Sequence, residues 1–193
     1  MAMPIRWRIF TAIHCIRSVD AIAGQFSVSL GLAKVVATLF ALLPAAIMAS
    51  NLLGSQAPVE PVEYLQDETG LWALRGLLIT LAISPLHQIT RWRYAIPIRR
   101  PLGVVTFCYA TVHAASFLVL DQLLDVAAIW AEMLERPFIL LGMFSWLLLI
   151  PMALSSNNFA MRRLGVKNWK SIHKASYIVA ILVCLHFFML VSF

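Results

Sequence analysis

The chain has 193 residues, 61% of them hydrophobic and only 12% charged, with a formal net charge of +6. A soluble domain carries about 25% charged residues. This chain cannot cover a water-facing surface, so lipid must be its solvent over most of its area. Its positive balance reads as cytoplasmic loops of a membrane protein, not as nucleic-acid binding.

Residues 1–30 are mixed, with Arg6, Arg8, Arg17 and Asp20 interrupting short apolar runs. They read as a cytoplasmic or interfacial segment, with Trp7, Phe10 and Ile13 dipping into the membrane surface and His14 beside them. Residues 31–193 read as one transmembrane domain. Its spans fall at about 31–50, 71–90, 101–120, 137–155 and 173–193. The first could imitate a secretion signal, but the rest of the chain is equally apolar. Between the spans lie, in order, an acidic loop (51–70), a basic loop (91–100), an acidic loop or amphipathic helix (121–136) and a second basic stretch (156–172). Each span has the roughly 20 residues that a helix needs to cross about 30 Å of hydrocarbon. The runs are continuous, not alternating, so the expected fold is all-α: an integral membrane bundle of about five transmembrane helices.

Charge orients the bundle. With the N-terminus in the cytoplasm, Arg91, Arg93, Arg99, Arg100, Arg162, Arg163, Lys167, Lys170 and Lys174 all fall inside, and every acidic residue except Asp20 falls outside. The C-terminus is then expected outside. Cys15, Cys108 and Cys184 form no C-x-x-C and no C-x-x-C-H, which excludes a zinc ribbon and covalently attached haem. They read as small apolar fillers.

Histidine is costly in hydrocarbon, so an intramembrane histidine is a candidate site by default. His113 lies about 18 Å along the third span from Pro101, and His186 about 20 Å along the fifth from His173. Both spans run in the same direction, so the two histidines should sit level, beyond the midplane. Two neutral imidazoles facing each other can clamp a b-type haem, and Ala110, Ala114, Ala115 and Ser116 leave room for a flat macrocycle. The competing reading is a histidine that hydrogen-bonds across helices; spacing alone leaves the two even. Arg75 could pair with haem propionates or snorkel outward. His87 and His173, toward the inner side, could hold a second haem, although His173 and His186 are some 140° apart around an ideal helix. Arg91, Arg93, Arg99 and Arg100 form an inner basic collar that could receive a phosphate-bearing flavin, or could simply be positive-inside charge.

Arg99-Arg100-Pro-Leu-Gly, Tyr109-Ala-Thr-Val-His113, Arg136-Pro-Phe, Leu154-Ser-Ser-Asn, Met161-Arg-Arg-Leu-Gly, Trp169-Lys-Ser-Ile-His173 and Leu185-His186-Phe together resemble the MsrQ (YedZ) family. That family is a haem-binding membrane subunit within the ferric-reductase-like transmembrane group, and the likeness runs from about Thr69 to Phe188. The resemblance implies a bacterial inner-membrane b-type cytochrome. It would pass electrons outward to a periplasmic molybdopterin reductase, MsrP, that repairs oxidised methionines in envelope proteins. It implies quinol or a cytosolic flavin reductase as donor, and FMN as a further cofactor. It assigns haem-linked roles to His113, His173 and His186, and matches Arg99 to an arginine ahead of the third span. His87 lies outside the motif. The family continues into a further span that this sequence does not contain.

Two axial histidines leave iron no open position, which suits electron transfer better than substrate chemistry. The sequence shows no substrate-reducing site and no Gly-rich dinucleotide fingerprint. The expected role is an electron-transfer subunit, not a catalytic one. The rival readings are another transmembrane oxidoreductase core, of ferric-reductase or cytochrome b561 type, and a small non-haem transporter or assembly factor.

Overall fold

The computed structural model describes residues 5–54 and 57–192, with side chains from Ser29 onward. Among the described residues seven α-helices follow one another: α1 (Ile5–Leu53), α2 (Pro61–Thr90), α3 (Ala95–Ala115), α4 (Val126–Glu135), α5 (Pro137–Leu154), α6 (Asn158–His173) and α7 (Ala175–Ser192). No strand occurs among the described residues. Among the described residues five stretches are long and apolar enough to cross a membrane: Ser29–Leu53, Pro61–Thr90, Ala95–Asp121, Pro137–Leu154 and Asn158–Ser192. The outer surface is apolar too, with Phe40, Ile181 and Phe188 more than 60% exposed. A water-soluble bundle would hide such side chains; a membrane protein turns them to lipid. The expected all-α membrane bundle is what the chain forms.

Two boundaries differ from the sequence reading, and a third stretch takes one of the two forms offered for it. α2 starts at Pro61, well inside the stretch read as an acidic loop. Proline at the first helical position and Glu63 in the first turn both favour a helix start there. The basic stretch after the fourth span is largely helix α6, opened by Asn157, whose side chain accepts from the Ala160 N–H at 2.6 Å. The stretch after the third span contains α4, the amphipathic alternative, capped by Asp125. The backbone of α1 runs unbroken from Ile5 into the first span. The side-chain roles read for Trp7, Phe10, Ile13, His14 and Cys15 fall outside the described residues.

α2 packs along α3, α1 leans on α3, and α5 pairs with α7. Small hydroxylated residues line these seams. Thr80, Thr106, Ser145 and Ser176 are buried, and each hydroxyl donates to a carbonyl three or four residues earlier in its own chain. This satisfies the hydroxyl internally and lets backbones approach, as membrane helices require. The α1–α3 seam has a distinct clasp. Pro44 removes one N–H from the α1 ladder and its ring crowds the preceding turn. Beside it, the buried Tyr109 hydroxyl accepts from the Ala45 N–H at 3.0 Å and donates to the Ala41 carbonyl at 2.9 Å. The phenol therefore links an i, i+4 pair of α1 to the middle of α3, where Met48 and Val105 pack around it.

Tyr109→Phe removes both bonds and leaves the packing ring. It should cost roughly 1–3 kcal/mol, read as a lowered thermal unfolding midpoint in detergent. An unchanged midpoint would show that the clasp contributes nothing.

Candidate functional site

His113, near the end of α3, and His186, in α7, meet across the bundle. Their ring centroids are 6.2 Å apart and their planes are at 77°. The equal depth expected from residue counting is thus realised, and the rings face each other.

The same device orients each ring. His113 Nδ1 lies 2.9 Å from the Gln66 carbonyl of α2, and His186 Nδ1 lies 2.6 Å from the Phe138 carbonyl of α5. A carbonyl can only accept, so each Nδ1 donates and each Nε2 keeps its lone pair. The residue one turn beyond each carbonyl, on the same helix face, is glycine. A Cβ at Gly70 would stand 2.9 Å from Cε1 and 3.0 Å from Nδ1 of His113; one at Gly142 would stand 3.0 Å from the same two atoms of His186. Carbonyl and glycine together form a seat that only a residue without a side chain leaves open. Each of the two histidine positions is thereby pinned to a neighbouring helix: α3 to α2, and α7 to α5.

Between these helices lies a cavity of about 530 Å³, within the range of small-molecule and cofactor sites. Ala110, Ala114, Leu74, Trp146 and Leu149 form its apolar walls, while Asp67, Asp121, Glu132 and Arg136 stand at its polar end. The Trp146 indole N–H donates to Thr111 Oγ1 at 3.1 Å, so this wall presents an aromatic ring without a stranded donor. Just past His113, α3 widens into a π-turn, Ser116–Asp121. Such turns recur at functional sites. Leu123 and Leu124 come next, with φ of 49° and 61°, a left-handed conformation that costs a non-glycine residue about 1–2 kcal/mol. The Leu124 N–H returns to the Leu118 carbonyl at 2.8 Å. These turns break the helix directly beside Asp121, at the cavity's polar end.

The other candidates lie elsewhere. Arg75 is exposed and stacks over Trp72, 4.7 Å from the ring centre, and is not among the residues that line the cavity. The arginine that does line it is Arg136, ion-paired with Glu132 at 3.1 Å. Arg99 donates to Ser84 Oγ at 2.9 Å, holding α3 against α2 near the basic end. His87 is half-buried and its Nδ1 meets the Trp92 carbonyl at 2.9 Å. His173 stacks on Trp169, with centroids 4.1 Å apart, and its Nδ1 meets the Trp169 carbonyl at 3.1 Å. The ring packed against His173 is therefore Trp169, not His87. Gln66, Gly70 and Gly142 escaped the sequence reading, while Arg136 and Phe138 entered it only within the Arg136-Pro-Phe motif and with no site role. A glycine inside each helix, Gly70 and Gly142, was the available signal for the seats.

Among the described residues no group of three or more His, Cys, Asp or Glu could hold a metal. Two imidazoles alone fall short of a structural zinc site. They suit a metal that brings its own equatorial ligands, as haem iron does. The spacing agrees. Metal–nitrogen bonds of about 2 Å on each side, with about 1 Å more to each ring centre, place two centroids about 6 Å apart.

Fold and site define a multi-pass helical membrane protein with a cavity lined by two histidines from different helices. The family described as ferric reductase like transmembrane component matches residues 69–184. The protein-methionine-sulfoxide reductase heme-binding subunit MsrQ of Azospira oryzae is 41% identical over 154 residues, covering 80% of this chain and 66% of that protein. The subunit of the same name from Herminiimonas arsenicoxydans is 40% identical over 147 residues, covering 76% and 67%. That of Xanthomonas oryzae pv. oryzae is 46% identical over 143 residues, covering 74% and 63%. The chain belongs to the ferric reductase like transmembrane family and, within it, to the MsrQ group. It spans about two thirds of the length of these relatives. No solved structure matches it.

Proposed function

We propose that this chain is a b-type cytochrome of the bacterial inner membrane, carrying one haem between His113 and His186. The observation that carries the reading is the facing pair, with both Nδ1 protons committed to backbone carbonyls and both Nε2 lone pairs left free. Haem iron, when bound, supplies a one-electron carrier. The protein's part is to hold it. The carbonyls of Gln66 and Phe138 fix each tautomer and raise imidazole basicity. The small residues and Trp146 exclude water from the faces. Arg136 is the guanidinium placed to meet a propionate, the role that the sequence alone suggested for Arg75. A haem held by both His113 and His186 would supply one-electron exchange and would leave no place for a substrate.

The lysine and arginine distribution puts the Arg91–Arg100 end in the cytoplasm and the Asp67–Asp121–Glu132 end outside. The haem then sits near the outer face, placed to pass electrons to a periplasmic molybdopterin methionine-sulfoxide reductase of the MsrP kind. Electrons enter from the other side, from quinol in the bilayer or from a cytosolic flavin reductase. If an FMN is carried, the exposed turn of Arg91 and Arg93, together with Arg99, is where its phosphate would be received. A second haem, if present, belongs at His173. There the Ser156 hydroxyl is only 3.4 Å from Nε2 and already donates to Met152, which leaves that lone pair weakly used.

Three outcomes test this reading. A reduced-minus-oxidised visible spectrum should show a b-type signal that falls severalfold in His113→Ala and in His186→Ala, and stays intact in His87→Ala; full signal in both of the first two would reject the ligands. Gly70→Ala and Gly142→Ala should each lower haem content severalfold, because a methyl meets the ring. Gly103→Ala, with nothing within 4 Å of an added Cβ, should leave haem content unchanged. A reporter enzyme active only in the periplasm should work when fused after Ser192 and fail when fused after Thr90; the reverse pattern would invert the orientation.

A further inference from the structure

A second groove lies at the basic end of the bundle, between α1, α3 and the turn that follows α5. Its volume is about 310 Å³, and Lys34 and Thr38 of α1, Pro97, Arg100, Pro101, Val104 and Val105 of α3, and Ser156 line it. No carboxylate is among these residues, and two of them are cations.

Arg100 is the anomaly. Its Nε donates to the Ser156 carbonyl at 2.6 Å and its Nη1 to Asn158 Oδ1 at 2.6 Å. Both acceptors are neutral. Its Nη2 is shut off from solvent and has no acceptor. A guanidinium cannot shed its proton, and a partly buried charge without a counter-charge is costly. Among the described residues no carboxylate pairs with it. Arg99, next to it, is different: it faces α2 and bonds Ser84. Lys34 stands exposed at the rim, its carbonyl accepts from the Thr38 hydroxyl, and among the described residues no carboxylate pairs with its ammonium. The groove continues along Val104, which is exposed toward the surroundings of the bundle.

We propose that this groove binds one anionic phospholipid. The headgroup phosphate sits against Lys34 and Arg100, and an acyl chain runs along Val104 and the α1–α3 seam. The groove offers charge and grease in that order from the basic end toward the membrane centre, which is the order a lipid presents. Basic pockets between transmembrane helices on the cytoplasmic side are known to take such headgroups. A phosphate there offsets the unpaired guanidinium and ties α1 to the turn between α5 and α6.

Native mass spectrometry in mild detergent tests the assignment, with phosphatidylglycerol, phosphatidylcholine and flavin mononucleotide added separately and in competition. Wild-type protein should retain one phosphatidylglycerol at roughly tenfold lower lipid concentration than phosphatidylcholine. Lys34→Glu should abolish that preference and Lys34→Gln should weaken it severalfold, both with the visible spectrum unchanged. Arg100→Gln should weaken it likewise, but Arg100 also bonds the α5–α6 turn, so the Lys34 variants decide. Equal retention of the two lipids, an unaltered preference in Lys34→Glu, or displacement of phosphatidylglycerol by equimolar flavin mononucleotide would overturn the proposal. The haem reading is independent of this result, since His113→Ala should keep the lipid preference while losing the spectrum.

Discussion

The hydrogen bond from each imidazole Nδ1 to a carbonyl of a neighbouring helix is the interaction the site depends on. It satisfies a polar group that hydrocarbon would leave stranded. It chooses the tautomer, and so decides which nitrogen keeps its lone pair. It also joins helices in pairs, α3 with α2 and α7 with α5. The cavity is the space left between those two pairs, so helix packing and cofactor geometry have a common origin.

The duplicated seat shows how little sequence such a site requires. A carbonyl and a glycine one turn later are all that α2 and α5 contribute to the seats themselves. The carbonyl belongs to the backbone and can come from any residue, here Gln66 in one case and Phe138 in the other. Only the glycine is chemically specific, because any Cβ would occupy the space of the ring. His113 is fixed further by the chain just beyond it. The π-turn and the two left-handed leucines end α3 beside the cavity's polar end, away from the apolar walls that shield the rings.

The architecture was legible in the sequence because lipid leaves few options. Long uncharged runs must be helices, and basic and acidic connections must alternate. The level placement of His113 and His186 was legible too, since both spans start from the same side and a helix rises uniformly. The seats were not. Gln66 and Gly70 lay in a stretch whose acidic residues suggested a loop, and its helix start at Pro61 came from local cap chemistry that span-scale hydropathy averages away. Arg75 misled for a related reason. Depth along α2 made it look adjacent to the pocket, but its direction around the helix carries it onto Trp72, and Arg136 stands at the cavity instead. Residue counting fixes height; facing requires the packed neighbours.

The central claim is that two imidazole nitrogens from this one chain bind the same iron. Electron–nuclear double resonance on the oxidised protein, grown with ¹⁵N-labelled histidine, reads this directly. The account predicts two directly coordinated histidine nitrogens in the wild type and a single one at most in His186→Ala. A wild-type signal with only one coordinated histidine nitrogen, or none, would contradict it.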